Sequence, residues 1–283
     1  LRFAAHVMCQ SYATLASERQ SSLKAIGELR RRWRPVTAQL RRLQRDTARV
    51  VTQAQEIALV GLFIILLFWP DITLAFGIWW GLPAVGYNPW VAVFAAKQAA
   101  KVGLEHVLYG GLDDAYRILA KMGPSNKVFL VPDKEGGAPT TVSHDQFVLD
   151  ATVKDQQKGW CSTIMSWTHM RQVTQGRAIR LIPRILIQQP NGKLRLIDNA
   201  AEGGQTATTE DANQLRFCSA LQPAVQTSVL WKAREAAGSR IPSTESLVTG
   251  TDDWPDAYRE KLQDAADAEA CIVTFWHWEW QMP

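Results

Sequence analysis

The feature that most constrains this chain is an uncharged run of thirteen apolar residues at positions 57–69, closed by Pro70 and Asp71. Apolar character resumes through residues 78–82. A bilayer-spanning helix needs about 20 residues, and a longer span would place the Asp71 carboxylate near mid-membrane, where a charge is costly. The run has two alternative interpretations. It forms a buried helix or helical hairpin, or it forms a membrane segment anchored at the interface by Trp69, Trp79 and Trp80.

Basic residues concentrate just before the apolar run. Residues 19–49 contain ten arginines and lysines against two carboxylates, although the net charge of the chain is only +4. Apolar residues recur there at steps of three and four, which predicts basic amphipathic helices over residues 11–55, interrupted near Pro35. Such a face suits solvent, nucleic-acid phosphates or anionic lipid headgroups. Residues 1–20 lack the apolar core of a secretion signal. A nuclear or cytoplasmic location is expected, with a membrane location as the alternative.

Two apolar runs flank a tight-turn sequence in the second half of the chain. Residues 178–187 and 194–197 are rich in Ile and Leu, and Pro190-Asn191-Gly192 lies between them. This pattern predicts a β-hairpin. The hairpin carries the basic residues Lys193 and Arg195 and is followed by Asp198 and a Gly-Gly-Gln segment.

A second motif lies near the C-terminal end, where Asp253 stands four residues before Ala257-Tyr258. One interpretation is structural, because Asp-Asp before Trp-Pro suits the N-cap and first turn of a helix. The other is catalytic, because a carboxylate at the end of a strand can hold Mg²⁺ for phosphoryl transfer.

The two motifs, with a helical region at 224–237 between them and an apolar run at 271–276 after them, resemble the reverse transcriptases of retroelements over residues 153–283. Residues 81–89 are similar to a leader found before the fingers of some protist retroelement polymerases. The resemblance implies that Asp253 and the backbone carbonyl of Trp254 hold Mg²⁺ and that Tyr258 lies under the sugar of the incoming nucleotide. It further implies that Lys193 and Arg195 contact the triphosphate and that Asp198 orients the hairpin.

These patterns predict an α+β fold with a helical N-terminal half and a partial fingers and palm domain. The expected divisions are a basic helical leader (1–55), an apolar helical segment (56–122), a linker (123–141) and the polymerase-like part (142–283). Residues 113–117 repeat the Asp-Ala-Tyr signature, but Gly111 stands where the metal carboxylate belongs, so they are predicted to be a helix and not a metal site.

The function expected from the resemblance is that of a fragment of an RNA-directed DNA polymerase, whose partners are an RNA template, a DNA primer and deoxynucleotides. The fragment is expected to be inactive as it stands, because the sequence has no Tyr-x-Asp-Asp motif after Asp253. Two alternatives remain. The first is a non-catalytic nucleic-acid-binding relic, and the second is a structural protein anchored in a membrane through residues 57–82.

Overall fold

The computed structural model describes residues 12–131, 137–214, 221–237, 263–277, 279–280 and 282–283. Helices dominate up to residue 121, with two short strands among them. These elements are α1 (Tyr12–Arg42), α2 (Asp46–Val51), α3 (Ile57–Leu66), α4 (Leu74–Trp80), β1 (Tyr87–Asn88), β2 (Ala95–Ala96), α5 (Leu104–Leu108) and α6 (Gly111–Lys121).

The remainder contains both strands and helices. They are β3 (Val128–Val131), β4 (Thr140–Ser143), α7 (His144–Gln157), α8 (Trp167–Val173), β5 (Leu181–Gln188), β6 (Leu194–Asp198), α9 (Gln205–Thr208), β7 (Glu210–Asp211), β8 (Asn213–Gln214), α10 (Leu221–Ala237), a 3₁₀ helix (Ala265–Ala270) and β9 (Ile272–Thr274). The predicted α+β class and the helical N-terminal half are therefore confirmed.

Helix α1 runs without a break through Pro35, so the interruption predicted there is wrong. Proline cannot donate to the carbonyl one turn earlier. The helix continues for seven residues beyond Pro35, where Thr37 is buried, Leu40 accepts from the Trp79 indole at 3.0 Å and Arg41 donates to the carbonyl of Gln55 at 2.6 Å. These tertiary contacts offset the lost helical bond.

The apolar run forms a helical hairpin. Helix α3 packs against α1 and α4, and it buries Ile57, Leu59 and Ile64. It ends before Phe68, which adopts a left-handed conformation with φ 49°. Among the helices that the structure describes, none has both the length and the apolarity to cross a membrane.

The predicted β-hairpin is present as β5 and β6, which pair in antiparallel register. Its turn is closed by the Gly192 amide, which donates to the carbonyl of Gln189 at 2.8 Å, and Gly192 has φ 80°. Strand β9 joins the other edge of β5 in parallel, giving a three-stranded sheet in the order β6-β5-β9.

The hydrophobic core lies between this sheet and helices α6 and α8. Its fully buried members are Ala115 and Ile118 of α6, Ile179, and Leu181 of β5. Trp167, Met170 and Ile272 pack around them. The core therefore holds β5 in place from one side, which positions the hairpin that projects from it.

The stretch expected to be a linker contains structure. Strand β3 lies inside residues 123–141 and pairs with β4 in antiparallel register. Its apolar sequence, Val-Phe-Leu-Val, favours a strand, and the Gly-rich residues that follow obscured this signal in the sequence.

Residues 81–89, the segment similar to a polymerase leader, and the strand β2 after them contact distant parts of the chain. Strand β1 pairs in parallel with β7, and β2 pairs with β8. Leu82 accepts from the amide of Asp264 at 3.0 Å, and Ala84 donates to the Asp267 carboxylate at 2.7 Å. Residues 82–96 therefore belong to the same packed unit as the region around the sheet.

Candidate functional site

The predicted hairpin is fixed at its base by a buried arginine. Arg184 of β5 lies directly opposite Asp198 of β6. Its Nε donates to Asp198 Oδ1 at 2.7 Å and its Nη2 to Asp198 Oδ2 at 3.1 Å. The remaining nitrogen, Nη1, donates to Thr152 Oγ1 at 2.9 Å and to Asp155 Oδ2 at 3.1 Å. One guanidinium thus joins both strands of the hairpin to α7.

Burial alone would lower the pKa of Arg184, but the hydrogen bond and negative charge of Asp198, assisted by Asp155, outweigh it and raise the pKa. The guanidinium therefore stays charged, as a bidentate carboxylate pair requires. This contact agrees with the expectation that Asp198 orients the hairpin. The sequence signal for Arg184 was a lone charge inside an apolar strand.

Lys193 and Arg195 both lie on the outer part of the hairpin and are exposed. Lys193 follows the turn directly. Arg195 pairs with Ile187 across the two strands, and its Nε donates to Gln189 Oε1 at 3.3 Å. Two cationic side chains therefore project near the tip of a hairpin whose base is fixed.

The two charged positions of β6 face opposite ways. Successive side chains of a strand alternate between the two faces of a sheet, so Arg195 and Asp198, three residues apart, lie on different faces. Arg195 shares its face with the half-exposed Ile185, Ile187 and Ile197. On this face the hairpin offers an anion a positive charge that no carboxylate of β6 neutralises.

The opposite face borders a cleft of about 690 Å³. Its described walls include Arg184, Asp198, Cys271 and His277, but neither Lys193 nor Arg195. The cleft and the two predicted nucleotide-binding residues therefore lie on different sides of the sheet.

The titratable groups of the cleft suit packing better than catalysis. Burial raises the pKa of the Cys271 thiol to about 11, so at neutral pH it is protonated and a poor nucleophile. Burial also lowers the pKa of His277, whose ring stacks on Trp280 at 4.0 Å and accepts a hydrogen bond from the Trp280 amide. At neutral pH His277 is therefore neutral, and the stacking and the hydrogen bond hold its ring in place.

A second buried arginine lies between the sheet and the helices. Arg180 donates from Nε to the carbonyl of Val107 at 2.7 Å, from Nη2 to that of Tyr109 at 3.0 Å, and from Nη1 to that of Gly203 at 2.9 Å. It also forms an ion pair with Asp114. The Asp-Ala-Tyr repeat at 113–117 therefore lies in helix α6 and supplies a structural carboxylate.

The predicted metal motif lies outside the described residues, since Asp253, Trp254 and Tyr258 all fall within residues 238–262. In the parts of the chain that the structure describes, no group of three or more His, Cys, Asp or Glu side chains could hold a metal ion. The Mg²⁺ site remains a prediction that rests on Asp253 and Trp254.

Comparison of the chain with models of protein families, with curated proteins and with solved structures gave no match.

Proposed function

We propose that this chain forms the fingers and the first part of the palm of a retroelement RNA-directed DNA polymerase, and that it binds the triphosphate of a deoxynucleotide through Lys193 and Arg195. The observation that carries the proposal is the β5–β6 hairpin. Its strands fall where the resemblance expects a fingers hairpin, and its base is held by the Arg184–Asp198 pair.

The geometry of the hairpin suits phosphate binding. A triphosphate needs cations that are exposed and near one another, and both conditions hold at the outer end of β6, where Lys193 and Arg195 lie two residues apart. Arginine binds phosphate oxygens with its planar fork, and lysine adds a compact charge. A rigid base limits the conformational entropy that the hairpin loses on binding.

Three further elements support the proposal. Helix α10 follows the hairpin where the resemblance expects a helical region, and β9 forms from the predicted apolar run and joins the same sheet. The leader-like residues pair with β7 and with Asp264, so the segment similar to a polymerase leader packs beside the proposed polymerase part.

The carboxylate of Asp253 and the carbonyl of Trp254 are oxygen donors of the kind that Mg²⁺ prefers. When bound, the metal ion would neutralise phosphate charge during nucleotidyl transfer. The chain's own proposed contribution through Lys193 and Arg195 is to bind and orient the triphosphate, and through Tyr258 to exclude a 2′-hydroxyl.

The test measures binding of a fluorescent deoxynucleoside triphosphate, with and without Mg²⁺, by fluorescence anisotropy. Lys193→Ala and Arg195→Ala should each weaken binding about tenfold, the value of one charge-assisted hydrogen bond. Lys101→Ala removes a cation that is also exposed but lies outside the hairpin, and it should change binding less than about twofold.

Asp253→Ala distinguishes the polymerase proposal from its main alternative, a non-catalytic nucleic-acid-binding protein. In the polymerase proposal it abolishes the Mg²⁺-dependent part of triphosphate binding. If binding to an RNA–DNA duplex survives while Asp253→Ala and removal of Mg²⁺ have no effect, the chain is a non-catalytic nucleic-acid-binding protein. If Lys193→Ala and Arg195→Ala behave like Lys101→Ala, the proposed triphosphate site is wrong.

A further inference from the structure

The turn between α3 and α4 presents a surface of large apolar side chains, which we name the apolar tip. Phe68 is 91% exposed and Ile72 74% exposed. The full set of exposed members is Ile65, Leu66, Leu67, Phe68, Trp69, Ile72, Phe76 and Trp80. Folded proteins rarely leave such a concentration of apolar side chains in water unless it is an interaction site.

The apolar tip lies within one helical hairpin, formed by α3, the turn and α4. Five of its members are consecutive in sequence, and the rings of Phe76 and Trp80 stack at 6.2 Å with an interplanar angle of 17°. Between residues 57 and 80 the only charged residue is Asp71. Its Oδ1 accepts from the Thr73 amide at 3.0 Å and from the Thr73 hydroxyl at 2.6 Å, so part of its hydrogen-bonding capacity is used within the turn.

One arginine, Arg45, lies against the apolar tip at Trp80, and further exposed arginines lie on helix α1. The guanidinium of Arg45 lies 5.5 Å from the ring centre of Trp80, and its Nη2 donates to the Trp80 carbonyl at 3.4 Å. Helix α1, which packs on α3, also exposes Arg32, Arg34 and Arg42. The surface therefore combines a wide apolar area with the positive charge of Arg45 at its edge, beside a basic helix that packs on α3.

We propose that the apolar tip docks on the surface of an anionic lipid bilayer. Its side chains enter the boundary between headgroups and acyl chains, and the arginines of α1 and Arg45 contact lipid phosphates. A bilayer surface offers an apolar layer beneath an anionic layer, which matches this combination. The phosphate backbone of a nucleic acid would match the arginines but would leave the aliphatic members of the tip in water.

The docking is peripheral. Helix α3 has ten residues, which at about 1.5 Å per residue cover roughly half of the hydrocarbon thickness of a bilayer. A hairpin of this length can insert its turn while the rest of the chain remains outside. The proposal is independent of triphosphate binding, which uses a different part of the fold.

The test is cosedimentation of the full chain with unilamellar vesicles of phosphatidylcholine, with or without about 30% phosphatidylserine. The double variant Leu67→Glu/Phe68→Glu places two charges in the apolar tip. The matched control is Leu221→Glu/Val225→Glu on α10, where Leu221 is 69% exposed, close to the 71% of Leu67. Far-UV circular dichroism checks that both variants keep their helices.

Wild-type protein should bind the vesicles that contain phosphatidylserine, and the tip variant should bind at least about tenfold more weakly. The control should stay within about twofold of wild type. Arg45→Gln should weaken binding only where phosphatidylserine is present, and added salt should have the same effect.

A conservative variant keeps the proposal testable if the glutamates prevent folding. Brominated lipids in the vesicles should quench tryptophan fluorescence, and Trp69→Phe should remove part of that quenching while vesicle binding persists. Equal binding of the tip variant and wild type would overturn the proposal. So would a wild-type dimer that dissociates in the tip variant without any vesicle binding, or an RNA affinity that depends on Leu67 and Phe68 in place of lipid affinity.

Discussion

Arg180 Nη1 lies 2.8 Å from Asp114 Oδ2, joining the start of β5 to helix α6. The Arg180 side chain is only 3% exposed, whereas that of Asp114 is 31% exposed. The same carboxylate accepts through Oδ1 from Arg117, an exposed arginine one turn later in α6, at 2.9 Å. Asp114 thus has two arginine partners, one buried and one in water, and their energetic contributions should differ greatly.

Arg180→Met should lower the free energy of unfolding by about 3–5 kcal/mol, because it leaves Asp114 and three backbone carbonyls without their buried donor. Arg117→Met removes the exposed partner of the same carboxylate and should cost less than about 1 kcal/mol. Urea denaturation followed by tryptophan fluorescence measures both values. Similar losses in the two variants would show that burial does not set the strength of these pairs.

Arg184→Lys tests the anchoring of the hairpin. Lysine keeps the charge but cannot reach Asp198 through two parallel bonds while also donating to Thr152 and Asp155. We expect a loss of about 1–3 kcal/mol of unfolding free energy. Arg195→Lys, a change of the same type at an exposed position of the same hairpin, should stay within about 0.5 kcal/mol of wild type. A neutral Arg184→Lys would contradict the structural role given to this side chain.

The buried His277 should make stability depend on pH. Burial lowers its pKa below the ordinary 6.5, against the opposing charge of Glu279. The unfolded chain then binds a proton more readily than the folded chain. The contribution of neutral His277 to the free energy of unfolding is fully present above pH 6.5. It decreases as the pH falls from there through the pKa of His277 in the folded chain.

His277→Phe isolates this contribution because it keeps an aromatic ring against Trp280 and removes the titration. Urea denaturation of both proteins at several pH values from about 7.5 to 5 provides the comparison. The difference in unfolding free energy, wild type minus variant, should decrease on acidification. A constant difference would mean that His277 has the same proton affinity in the folded and unfolded chains.

Gly81 occupies a position that only glycine fits. Its φ is +131°, and a Cβ there would lie 2.6 Å from the backbone nitrogen of Asp264. Gly81→Ala should therefore cost at least about 1–3 kcal/mol through strain and displacement of the Asp264 backbone. Gly123→Ala, where nothing lies within 4 Å of the added atom, should be close to neutral. Thermal unfolding of the two variants measures the contrast.

The parts of the fold that could be predicted are those fixed by nearby residues. Apolar runs on both sides of Asn191-Gly192 specify the β5–β6 hairpin, because turn chemistry and strand preference act within a few residues. The periodic apolar positions of residues 12–42 likewise specify a helix. The exposure of the basic residues Lys193 and Arg195 agrees with their position beside the turn.

The parts that could not be predicted depend on residues far apart in the chain. Nothing near Leu181 indicates that it pairs with Ile272, and nothing near Asp114 indicates a buried arginine partner. The prediction of a helix break at Pro35 is wrong because contacts of Leu40 and Arg41 with distant residues stabilise the helix beyond the proline. The linker expected at residues 123–141 contained a strand whose partner, β4, begins only at Thr140.

The parallel pairing of β5 with β9 has a kinetic consequence. The β5–β6 hairpin closes a short loop and can form early, whereas the pairing of β5 with β9 must close a much longer loop of chain and is expected to form later. Until then the outer edge of β5 leaves the polar backbone groups of Arg180 and Ile182 unpaired, because alternate residues of a strand direct these groups to the same edge, and Pro183 directs its carbonyl to the Asn199 amide on the β6 side. During that interval the chain is most exposed to strand addition from a second molecule, so aggregation should compete with folding at this edge before it does elsewhere in the sheet.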